Sequence, residues 1–186
     1  MNLGIAAAAG DVLTFLDCDM LVGRYWLEGV AQVDWSSVHR LAYRVRYLDT
    51  VSSAAVLSGA DPAPWFARYD GFRRGFEAYG RPDLKQPAPT PADQPWGNSQ
   101  FSITRERLGD LRFDEAFQGR GFEDLALSMQ LYARTPGGPA AFRGQILTDA
   151  EHALLHVEHG RGPDWTSSAL LSANLAHYRK TYPRIS

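Results

Sequence analysis

The sequence predicts an α/β fold in a single domain spanning residues 1–186, and three stretches carry that prediction. Val12 to Leu16 is a short apolar run with two β-branched residues, opened by the turn pair Gly10-Asp11, and it reads as a buried parallel strand. Val38 to Leu48 alternates in part and is rich in aromatic and β-branched residues, which predicts a second strand. Leu125 to Ala133 instead repeats its apolar residues at helical spacing. Strands interleaved with such helices are the pattern of an α/β domain.

Composition narrows the function classes. With 45% apolar and 12% aromatic residues in 186, the chain can bury a sizeable core. A formal net charge of −2 argues against a nucleic-acid binder, which needs a basic surface. No apolar run reaches the roughly 18–20 residues of a membrane-spanning helix, so no integral membrane segment is expected. Met1-Asn2-Leu3-Gly4 lacks the basic region of a secretory signal. The one cysteine, Cys18, excludes an internal disulfide framework and fits a reducing compartment. A cytoplasmic protein is the expectation, with peripheral membrane attachment left open.

Asn2 to Ala9 reads as the tail of a helix, with Gly10 near its C-cap. An α/β domain normally opens on a strand, so an upstream segment or a partner chain is expected to complete the fold. Tyr25 to Trp35 carries a helical apolar stripe. In the strand 38–48, Arg40, Arg44 and Arg46 interleave with apolar residues. They fit either a basic strand end near phosphate or, more commonly, the solvated face of an edge strand. Ser52 to Ser58 suggests a short helix, and the aromatic-dense stretch Trp65 to Tyr79 suggests helix core. Residues 81–95 hold five prolines and predict an irregular loop. A short strand follows up to Ile103, then a brief helix capped by Thr104. Ala140 to Ile146 predicts another strand, Ala153 to His159 a short apolar segment, and Ser167 to Tyr182 a last helix.

Three groups stand apart from this scaffold. Asp17 and Asp19 form a D-x-D at the end of a strand, where two adjacent carboxylates repel unless a cation sits beside them. Taken alone, the pattern serves equally as a solvated turn. Glu123 and Asp124 occupy the first turn of the predicted helix, where its dipole favours negative charge. His156 and His159 end the short apolar segment, as metal ligands or as surface histidines.

The run N-L-G-I-A-A-A-A-G-D-V-L-T-F-L-D-C-D-M resembles the central segment of family 2 glycosyltransferases of GT-A fold. There a helix leads into the strand that ends in the metal-binding D-x-D. The later F-D-E-A-F-Q-G-R-G-F-E-D-L-A-L is similar to a segment shared by chondroitin-polymerase-like enzymes and β-1,4-galactosyltransferases. Arg44 to Thr50 (R-V-R-Y-L-D-T) also resembles the polymerase-like subgroup. The resemblance implies a GT-A-like mixed sheet flanked by helices and lacking its N-terminal strands, which would hold the uracil and ribose.

It also implies roles. Asp19 would coordinate Mn²⁺ or Mg²⁺ on the nucleotide diphosphate. Asp17 would lie near the donor's sugar and ribose and beside the metal. His156 would be the other metal ligand, with His159 the lesser candidate. Asp124 would act as base and Glu123 would contact the acceptor. Trp96, Gly97 and Asn98 would form a donor- and acceptor-contacting loop. Arg120 departs from the family's G-W-G element, and with it acceptor preference. The implied activity is an inverting, metal-dependent transfer from a UDP-sugar to a glycan or other hydroxyl acceptor, relevant to polysaccharide biosynthesis. The alternative is an inactive GT-A-like module that binds nucleotide or glycan, or one part of a split enzyme.

Overall fold

The computed structural model describes residues 1–43, 45–67, 100–119, 121–138, 141–147, 152–159 and 168–182. The proline-rich stretch 81–95, the loop residues Trp96, Gly97 and Asn98, and Arg120 lie outside the described residues. The fold is mixed α/β, with two mixed sheets flanked by helices.

Helix α1 (Asn2–Ala7) leads into strand β1 (Val12–Phe15). The cap of α1 is Ala8 in extended conformation rather than Gly10. Strand β1 pairs antiparallel with β5 (Phe101–Thr104), correcting the expectation of a parallel strand. A short apolar run does not encode the direction of its partner. Its burial does alternate: Leu13 and Phe15 face the core and Thr14 faces out. Phe15 stacks on Phe101 at 4.6 Å and meets Phe113 edge-on at 5.5 Å. With Ile5, Ile103, Leu108, Leu127 and Leu131, these rings form one core cluster.

The expected strand 38–48 divides. Strand β3 (Arg40–Tyr43) joins the first sheet, and β4 (Val45–Tyr47) joins the second. The first sheet runs β1-β5-β3-β6, with β6 (Gly144–Leu147) parallel to β3. The second runs β2-β7-β4, where β2 is Met20–Val22 and β7 is Leu154–His156. Arg40 and Arg46 are buried, at 4% and 2% exposure, so neither lies on a solvated strand face. Arg40 lies over the Phe101 ring at 4.5 Å, and Arg46 donates to the Phe66 carbonyl.

Helix α2 (Trp26–Ala31) packs Trp26 and Val30 against Leu41, Tyr43 and Leu154. Helix α3 (Thr50–Leu57) starts at Asp49, whose side chain accepts from the Ser52 N–H, and α4 (Ala63–Ala67) follows. Helix α5 (Arg105–Leu108) is capped by Thr104 as expected, its hydroxyl accepting from Arg107 N–H. Helix α6 (Glu123–Arg134) carries the acidic pair in its first turn, and α7 (Ser168–Thr181) closes the described chain. No helix among the described residues is long and apolar enough to cross a membrane.

Candidate metal and acid site

Residues Asp17 to Asp19 lie between β1 and β2, and the second sheet decides what Asp19 meets. Met20 pairs with His156 in the antiparallel β2–β7 ladder, and the Val157 N–H donates to the Asp19 carbonyl at 2.9 Å. The Asp19 side chain is thereby held against the end of β7. Its Oδ2 lies 3.2 Å from His156 Nε2 and 2.8 Å from His159 Nε2. One ligand atom from each of the three residues lies within 4.8 Å of the others. The two imidazoles stack at 5.8 Å, and Tyr47 of β4 packs on His156 at 4.8 Å.

The donor set fits a divalent cation. One carboxylate and two imidazoles on one face are a common arrangement for first-row divalent metals. Asp19 Oδ1 and His156 Nδ1 are buried with no hydrogen-bond partner among the described residues. Unpaired buried polar atoms are costly, and coordination at Asp19 would relieve that cost on the carboxylate. His159, the more exposed of the two imidazoles, joins His156 in the cluster.

Asp17 is placed differently. It is exposed and accepts from Gln100 Nε2, and it is not one of the three clustered residues. Its charge instead reaches the acidic pair, raising both carboxyls. Burial is the leading cause of the upward shift in Glu123 and Asp124. At Asp124 the Leu125 N–H, bonded at 2.7 Å, and the buried Arg40 guanidinium pull the other way. Glu123 Oε2 is buried with no partner among the described residues. Asp124 is therefore a partly desolvated carboxylate, steadied by one buried cation on the neighbouring sheet.

The acidic pair is reached through an unusual backbone. Gly119, Gly121 and Phe122 have φ of 65°, 106° and 76°, and Phe122 is the N-cap of α6. A left-handed phenylalanine is disfavoured by its Cβ, so surrounding contacts must hold it. Further upstream, Asn2 pins Phe113: its Oδ1 accepts from Phe113 N–H at 2.9 Å and its Nδ2 donates to Phe113 O at 2.8 Å. Residues Asn2, Arg40 and Gln100 were not singled out by the sequence for these roles. Arg40 alone left a trace, as a cation inside an alternating strand.

A separate cleft of about 640 Å³ is lined by Trp35, His39, Arg107, Arg134 and Phe142, among others, and by none of Asp17, Asp19, Glu123, Asp124, His156 and His159. It flanks the far end of α6, away from the acidic pair.

No family model and no curated protein sequence matches this chain. Among solved structures, glucosyl-3-phosphoglycerate synthase from Mycobacterium tuberculosis, in complex with phosphoglyceric acid, aligns with a TM-score of 0.47 at 20% identity, over 95% of this chain and 51% of its own. A mycobacterial protein aligns with a TM-score of 0.43 at 17% identity, over 92% of this chain and 47% of its own. The chain spans about half the length of the structures it matches.

Proposed function

We propose that this chain carries the metal- and acceptor-side half of an inverting glycosyltransferase that uses a nucleotide-diphosphate sugar, with UDP as the nucleotide. The observation that carries the reading is the convergence of Asp19, His156 and His159 at the end of β7. Asp19, His156 and His159 would hold the cation. Two imidazoles beside a single carboxylate favour Mn²⁺ over Mg²⁺, which prefers an all-oxygen shell. When bound, such a cation neutralises charge on the departing diphosphate as a Lewis acid.

The chain's own groups supply the rest. Asp124 accepts the proton of the attacking acceptor hydroxyl, a role suited to a carboxylate whose burial raises its basicity. Glu123 receives acceptor hydroxyls beside it. Asp17, steered by Gln100, faces the donor sugar. One base opposite the leaving group gives direct displacement with inversion at the anomeric carbon. Trp96, Gly97 and Asn98 remain proposed contacts to donor and acceptor.

The test is calorimetric titration of UDP into the purified chain. Binding in the micromolar range with Mn²⁺, and none after chelation, is the expected result. The reading is abandoned for this chain if UDP binding is absent or indifferent to Mn²⁺.

A further inference from the structure

Resting on the reading of Glu123 and Asp124 as the acceptor-side pair, we propose that Asn174 on α7 is a positioning residue for that pair. Asn174 is buried, at 3% exposure, next to the exposed Ala173 on the same helix. Its Oδ1 accepts from the Gln118 N–H at 3.1 Å, and its Nδ2 donates to the Gln118 carbonyl at 2.8 Å and the Gly121 carbonyl at 3.3 Å. One side-chain amide thus satisfies both backbone groups of Gln118, as a neighbouring strand would.

The rest of α7 and Tyr182 just after it reinforce this contact. His177 Nε2 lies 2.7 Å from Asp114 Oδ2, and the Tyr182 hydroxyl donates to the same oxygen at 2.8 Å. Phe117 meets His177 edge-on at 4.9 Å, and Phe122 packs on Tyr178 at 5.6 Å. Leu171 fills the space beside Gly121, where a Cβ would come within 2.8 Å of its Cδ1. The last backbone carbonyl held by Asn174 is that of Gly121, two residues before Glu123.

Helix α6 has no side-chain cap of its own, and its N-cap Phe122 is left-handed. The carboxylates that follow are half-buried, and the negative charge of Asp17 adds a small repulsion to the cost of that burial. Repulsion and backbone strain both push this corner open, and the amide of Asn174 opposes them. The direction of the Asp124 carboxylate is therefore set from the C-terminal helix, and a displacement of about 1 Å there costs about 100-fold in rate.

The experiment compares the full chain with Asn174→Ala and Asn174→Ser by hydrogen–deuterium exchange, Mn²⁺-dependent UDP binding and sugar transfer. In Asn174→Ala, exchange at 118–124 rises by about 10-fold or more, as expected for the loss of several hydrogen bonds, while residues 128–134 stay protected. UDP affinity is unchanged, and transfer falls about 100-fold with the donor KM unaltered. Asn174→Ser keeps a small polar side chain too short to reach both backbone groups of Gln118 and gives the same pattern, which covers the case where the alanine chain fails to fold. Wild-type exchange at 118–124 in both variants, or a uniform rise across all helices, overturns the proposal. If the wild-type chain binds UDP but transfers no sugar, the transferase reading falls and the exchange pattern alone decides the brace.

Discussion

Met20 stands directly opposite His156 in the β2–β7 ladder, so Asp19 meets the imidazole by strand register. A one-residue slip would turn every side chain of β2 to the other face. The Asp19–His156–His159 cluster is thus a property of sheet pairing as much as of the D-x-D.

Replacing Asp19 by Ala is expected to abolish Mn²⁺ dependence altogether. His156→Ala and His159→Ala should each weaken Mn²⁺ binding by at least about 10-fold, the smaller loss seen when even an outer-shell partner of a metal is removed. Electron paramagnetic resonance of free Mn²⁺ during titration measures both. Wild-type Mn²⁺ affinity in His159→Ala would remove it from the ligand set.

Asp124→Asn removes the proposed base while keeping the side chain's size. Transfer should fall by about 10²–10⁴-fold with Mn²⁺-dependent UDP binding retained. Loss of both together would show that Asp124 holds structure instead.

Acid stability is expected to depend on Asp114. The His177 bond, with the Ala116 N–H and the Tyr182 hydroxyl, holds its carboxyl below the ordinary value, against the opposing effect of burial. A carboxyl depressed in the folded state stabilises above its unfolded pKa of about 4 and loses that contribution as pH falls through the folded value. Urea midpoints between pH 6 and 2 should therefore drop less steeply in Asp114→Asn than in the parent chain. Equal slopes would discard the assignment.

Phe101→Ala should destabilise the chain by about 3–5 kcal/mol, the usual cost of emptying an aromatic core position. The ring is 1% exposed, stacks on Phe15 and lies under Arg40. Urea denaturation measures this, and a cost below about 1 kcal/mol would contradict the packing.

Much of this was legible in the sequence because local chemistry decided it. Thr104 caps its helix, and Glu123 and Asp124 open theirs, because hydroxyl caps and first-turn acids act within a few residues. The split of 38–48 was not legible, since alternation reports a strand but not the sheet it joins. Nor were the buried arginines: Arg40 is buried by a ring 61 positions later, which no window along the chain contains. Asn2 and Asn174 act on backbone 111 and 56 positions away, and a lone asparagine carries no local signal of that. The pairing of His159 with His156 was half visible, because their spacing places them near one another but not which turns toward Asp19.

The passage of one stretch from β3 into β4 has a mechanical consequence. The Arg40 guanidinium acts on Asp124 and Tyr47 packs on His156, so a short length of chain ties the acidic pair's side to the histidine cluster like the arm of a calliper. Lengthening that arm by one residue after Tyr43 would change the gap between the two halves and turn Tyr47 away from the imidazole, while each sheet kept its own strands.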